Sequence, residues 1–172
     1  MMKTPSEQLL LPASPAFITA SLALALALAM LPLGPVVWMP DWVMLLLAFW
    51  SMHQPRRVGL GVAFVMGLAI DVHQGALLGQ HALAYCLLVF GVGLAHRRLW
   101  WFSAWQQALQ LLPLFIGAHA LQVLIRLAGG GLWPGWWLLA APVLQALLWP
   151  LVGWVLLAPQ RRPPDQDDNR PL

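Results

Sequence analysis

The sequence predicts an all-α polytopic membrane protein with six transmembrane helices, and three observations predict it. Hydrophobic residues make up 60% of the 172-residue chain and charged residues only 9%, against roughly 25% charged in soluble domains. Apolar runs recur along the chain, separated by short breaks rich in glycine, proline or arginine. The basic residues stand at the ends of those runs, mostly in pairs, which is the pattern of topology signals. No stretch outside the runs is long enough to bury a core of its own. The net charge of +3 forms no continuous patch, so nucleic-acid binding is excluded as a reading.

Residues 1–15 hold Lys3, Glu7 and prolines and read as a cytoplasmic tail. Residues 16–158 are the six-helix membrane domain. The first helix runs from Ala16 to about Leu33; its Leu/Ala alternation has the period of a strand, but an uncharged run of this length reads as a spanning helix. A cleaved signal peptide is the competing reading. Pro32, Gly34, Pro35 and Pro40 break the chain. Asp41 then stands as an N-cap, with Trp38 and Trp42 suited to the interface. The second run, to Ser51, and the third, Val58 to Ile70, are each short for a span. They form either a spanning hairpin or a re-entrant pair, and spanning is the favoured expectation.

The fourth run extends from about Ala76 to Ala95 and ends at His96-Arg97-Arg98. The fifth, Ser103 to Leu127, contains Pro113 and is the most polar: Gln106, Gln107, Gln110, His119, Gln122 and Arg126 form a stripe that must face protein rather than lipid. After the aromatic turn GGGLWPGWW, the sixth run reaches Ala158, with kinks expected near Pro142 and Pro150. Residues 159–172 are proline-rich and charged and read as a disordered cytoplasmic tail. With both termini cytoplasmic, Lys3, Arg56, Arg57, Arg97, Arg98, Arg161, Arg162 and Arg170 lie inside and only Arg126 outside, as the positive-inside rule requires. The chain is therefore expected in a cytoplasmic membrane.

Chemistry-bearing motifs are few. No nucleophile elbow, Walker A, Cys-x-x-Cys or His-Glu-x-x-His pattern occurs, and no catalytic, cofactor or metal site is predicted. Asp71 and the histidines at 73 and 81 form a poor metal set without a cysteine or glutamate beside them. Asp71, at the edge of an apolar run, is costly to bury. It reads as a pivot, a binding group or a proton-handling acid, or as an interfacial helix cap. An ion pair with Arg126 at the same outer end would account for both residues, and separate snorkelling to water accounts for them equally well. Gly75 and Gly79 form a GxxxG, and with Gly59, Gly61, Gly67, Gly91 and Gly93 they predict close packing of the third and fourth helices.

Three blocks carry a family resemblance: PDWVMLLLAFW at 40–50, QPRRVGLGVAFVMGLAIDVHQGALLGQHALAYCLL at 54–88 and HRRLWWFSAWQQALQ at 96–110. Through Pro40-x-Trp42, Asp71-x-x-x-Gly75-x-x-x-Gly79 and Trp105-Gln106-Gln107 the chain resembles the rod shape-determining MreD family. The resemblance implies a non-enzymatic inner-membrane scaffold of the bacterial elongasome, which binds MreC directly. Through MreC it would meet MreB, RodA and a class B penicillin-binding transpeptidase, supporting lateral peptidoglycan synthesis and rod shape. It also implies a fold similar to the six-helix substrate-binding subunits of vitamin (ECF-type) transporters. Pro40, Trp42, Asp71, Gly75, Gly79, Gln106, Gln107 and Arg126 are the expected structural or partner-binding positions. Arg56, Arg57, Arg97 and Arg98 are expected to set topology or meet anionic lipid.

Two other readings follow from the residues themselves. A transporter subunit would line a polar pocket with Asp71 and the stripe of the fifth helix. A membrane-embedded enzyme would use Asp71 with His73 or His119 as acid and base.

Overall fold

The computed structural model describes residues 14–31 and 39–160, and among them every regular element is helical. The elements are α1 (Pro15–Ala29), α2 (Trp42–His53), α3 (Leu60–Gln74), α4 (Gln80–Leu99), α5 (Ala104–Ala128) and α6 (Ala140–Leu157), with single 3-10 turns at Trp136–Leu139 and Ala158–Gln160. Six helices match the six apolar runs. Most of the expected tails, the breaks at Pro32, Gly34 and Pro35, Trp38, and the basic residues Lys3, Arg161, Arg162 and Arg170 lie outside the described residues.

Three helical stretches, Gln80–Leu99, Ala104–Ala128 and Trp136–Gln160, are long and apolar enough to cross a membrane. The other three are shorter. At a rise of about 1.5 Å per residue, α2 is only about 18 Å long, against about 30 Å of hydrocarbon. The reason a 12-residue helix suffices there is its position: α2 packs against α1, α4 and α6, and Val43, Met44, Leu45, Leu47, Ala48, Phe49, Trp50, Ser51 and Met52 are all buried. It is apolar on every side because every side meets protein. Around it α3 packs along α4, α4 along α5 and α5 along α6, the arrangement that short connections favour between antiparallel neighbours.

Two indole hydrogen bonds tie polar side chains together across helices inside this apolar bundle. The Trp50 indole N–H donates to Ser21 Oγ at 2.8 Å, joining α2 to α1, while Phe17 meets the Trp50 ring edge-on at 5.9 Å. The Trp149 indole N–H donates to Gln107 Oε1 at 3.1 Å, joining α6 to α5. In apolar surroundings such interhelical bonds each contribute on the order of 1 kcal/mol.

The boundaries differ from the sequence expectation in several places. α1 ends at Ala29 rather than Leu33. α3 continues to Gln74, so Asp71 and His73 lie within its last turn. α4 starts at Gln80 rather than Ala76, because two left-handed glycines, Gly75 at φ 60° and Gly79 at φ 100°, hold the intervening residues in a turn. Pro142 falls in the first turn of α6, whereas Pro113 and Pro150 are interior to α5 and α6.

Candidate functional site

Asp71 is completely buried, and a carboxylate in that position is tolerated only if its oxygens are fully engaged. The turn after α3 brings the start of α4 over it. One carboxylate oxygen accepts the Gly79 N–H at 2.8 Å; the other accepts the His81 backbone N–H and the His81 Nδ1–H, each at 2.8 Å. The Ala82 N–H stands farther off, at 3.5 Å. Asp71 is therefore a cap, as one sequence reading had it, but it caps the following helix from inside the bundle, where unpaired N–H groups and the helix dipole both favour a negative charge. Arg126 is not among its partners: the donors of α4 already occupy both oxygens, and Arg126 is exposed on α5.

The glycines divide into two kinds. At Gly75 and Gly79 an added Cβ would meet nothing within 4 Å, so these positions need the left-handed backbone rather than the space. Gly67 needs the space. A Cβ there would come within 2.3 Å of the Ala82 Cα, so the close contact between α3 and α4 rests on Gly67 and not on the GxxxG. Gly91 similarly faces the Leu114 side chain of α5, whereas Gly61 and Gly93 face open space.

A second carboxylate sits at the same end. Asp41 caps α2 through the Met44 N–H at 2.9 Å, as expected, and its other oxygen accepts the Tyr85 hydroxyl of α4 at 2.6 Å. From α6, the Gln145 side-chain amide donates to the Asp41 carbonyl at 3.0 Å. The N-terminus of the central helix is thus fastened to α4 and α6 together.

Between these two nodes lies a cavity of about 540 Å³, lined from all six helices. Pro40, Asp41 and Trp42 border it on one side, His73, Gln74, Gln80, His81 and Tyr85 on another, and His119, Gln122 and Arg126 along α5. His119 donates Nδ1–H to the Phe115 carbonyl at 2.9 Å, as His81 does to Asp71, which leaves Nε2 of each ring without that role. Gln122 is buried and its side-chain nitrogen has no partner, a condition that costs about 1–3 kcal/mol. The polar stripe of the fifth helix therefore does face protein at His119 and Gln122, while Gln106 and Arg126 are exposed.

Gln106 and Gln107 belong to the opposite end. Gln106 Oε1 accepts the Ser103 N–H at 3.1 Å and closes the start of α5. The Gln107 amide donates to the carbonyls of Leu99 and Phe102 while its oxygen holds Trp149, so it clips the α4–α5 turn to α6. Of the expected positions, Pro40, Trp42, Asp71, Gly75, Gly79 and Arg126 gather around the cavity end, and Gln106 and Gln107 do not. Sequence reasoning passed over His81 as the Asp71 partner, Tyr85 and Gln145, and it named Gly67 only as one of several glycines behind the close packing of α3 and α4. Tyr85 carried a signal: it is the only tyrosine in the chain, and a lone phenol in an apolar helix asks for a buried acceptor.

The architecture defines the class: a polytopic all-α membrane protein whose central short helix and α3–α4 hairpin are held by a half-buried and a buried carboxylate around an end cavity. The chain belongs to the family of rod shape-determining protein MreD, whose family model matches residues 8–157. Rod shape-determining protein MreD of Haemophilus influenzae is 32% identical over 139 residues, which span 79% of this chain and 82% of that protein. No solved structure matches.

Proposed function

We propose that this chain acts in rod-shape determination as a non-enzymatic scaffold of the cytoplasmic membrane, oriented with both termini inside, which binds MreC and through it supports MreB, RodA and the class B transpeptidase in lateral wall synthesis. Family membership over nearly the whole chain is the observation that carries this reading. The chemistry of Asp71 agrees with it: both oxygens accept N–H donors inside the fold, so its role is architectural rather than that of a free acid or base. The exposed arginines at 56, 97 and 98 fit a cytoplasmic face under the positive-inside rule, which puts the cavity end outside. The test is detergent co-purification of this chain with MreC of the same organism. The scaffold reading expects a stable complex that survives an arginine substitution on the cytoplasmic face. A well-folded chain that never retains MreC would overturn it.

The cavity favours one second reading, a substrate-binding subunit of a small-molecule transporter, which expects substrate uptake to depend on this chain and on its Asp41 and His81 nodes.

A further inference from the structure

We propose that the end cavity is a binding site for a hydroxylated anion of the polyol-phosphate class, held by Gln122, His119 and His81 and entered past Arg126. The argument is one of unspent bonding capacity. Both carboxylates at this end are consumed by the fold: Asp71 by the start of α4, Asp41 by the Met44 N–H and the Tyr85 hydroxyl. They compensate helix N-termini, and among the described residues that line the cavity Arg126, exposed at the rim, is the formal charge left to select a ligand. The groups left over inside are of defined kinds. Gln122, 8% exposed, presents an unpartnered side-chain N–H pair, which needs an acceptor. His81 and His119 have Nδ1 committed to Asp71 and to the Phe115 carbonyl, so each ring has Nε2 left over, a group that a hydroxyl can meet as donor or acceptor. A ligand that supplies an anion to Arg126, an acceptor to Gln122 and hydroxyls to the imidazoles is a polyol carrying phosphate. A cavity of about 540 Å³ lies within the size range of small-molecule sites.

Such a group has two sources, a soluble polyol phosphate and a phosphatidylglycerol headgroup, and the test separates them. The full chain is purified and its thermal unfolding followed in detergent with and without glycerol 3-phosphate. In a second arm it is followed in nanodiscs of phosphatidylcholine alone or with phosphatidylglycerol. Wild type is expected to gain several degrees with one probe. A response to glycerol 3-phosphate identifies a soluble ligand, and a response confined to phosphatidylglycerol identifies a lipid headgroup. Gln122→Leu removes an orphan donor, so the variant is expected to be as stable as wild type or more so without probe, yet to lose at least tenfold in apparent affinity; Arg126→Gln is expected to lose affinity while folding normally. No shift with either probe, or an undiminished shift in a folded Gln122→Leu protein, overturns the proposal. None of these outcomes depends on retention of MreC, so the site and the scaffold reading stand or fall separately.

Discussion

The two ends of the bundle handle polarity in opposite ways. At the cavity end two carboxyl side chains are drawn inward while Arg126 stays exposed at the rim: Asp71 is fully buried, Asp41 is half-buried, and each takes its donors from a helix start or a neighbouring helix. At the other end Arg56, Arg97 and Arg98 are exposed, and the interior work falls to neutral groups. There Gln107 clips three segments, and His53 stacks on Phe49 at 4.1 Å and meets Trp100 edge-on at 5.1 Å. The contrast separates two meanings of a charge in a membrane protein. An exposed arginine specifies which way the chain lies and contributes little to how it folds. A buried aspartate is part of the fold, because removing it strands the N–H groups it satisfied.

Substitutions from one end to the other would break or sharpen that contrast. The largest effect is expected at Gly67: Gly67→Leu drives a side chain into the backbone of α4, beyond the roughly 1–3 kcal/mol of ordinary overpacking, and should abolish recovery of monodisperse protein in gel filtration. Asp71→Ala should come next, lowering stability by roughly 3–5 kcal/mol as a buried charged node is dismantled. Thermal unfolding in detergent measures it, and a loss below about 1 kcal/mol would show that the α4 start does not need its cap. Tyr85→Phe removes one bond to a carboxylate and should cost about 1.5–3 kcal/mol. Gly79→Ala, with open space but a left-handed backbone, should cost about 1–2 kcal/mol. At the basic end, Arg97→Gln and Arg98→Gln should leave the melting profile within about 0.5 kcal/mol of wild type. A large destabilisation there would erase the distinction between the ends.

Much of this fold was legible before any coordinate, and the limits have physical causes. Each apolar run became a helix because each is long enough to bury an apolar face. Asp41 could be read as a cap because a cap acts on residues three positions away. The sequence also marked α2 and α3 as short, but the length of a run says nothing of whether protein or lipid surrounds it. Asp71 was visible as an anomaly, while its partner was not: a bond to His81 spans a turn, and no helical period connects residues ten apart. The GxxxG at 75 and 79 drew attention for the wrong reason, since spacing does not distinguish a glycine needed for its backbone from one needed for its lack of a side chain. The cavity was least legible of all, because its lining comes from all six helices and only the packing brings Asp41, His81 and Gln122 to one place.

The short span between Asp71 and its donors has a further consequence, for synthesis. The last of those donors, at Ala82, follows Asp71 by 11 residues. At elongation rates of roughly 5–20 residues per second, the carboxylate can be sheltered within about one or two seconds of its own emergence. The phenol that Asp41 holds is 44 residues downstream. The α3–α4 hairpin can therefore leave the insertion machinery as a finished, electrically quiet unit, whereas the central helix must wait for later helices before its N-terminal end is sealed.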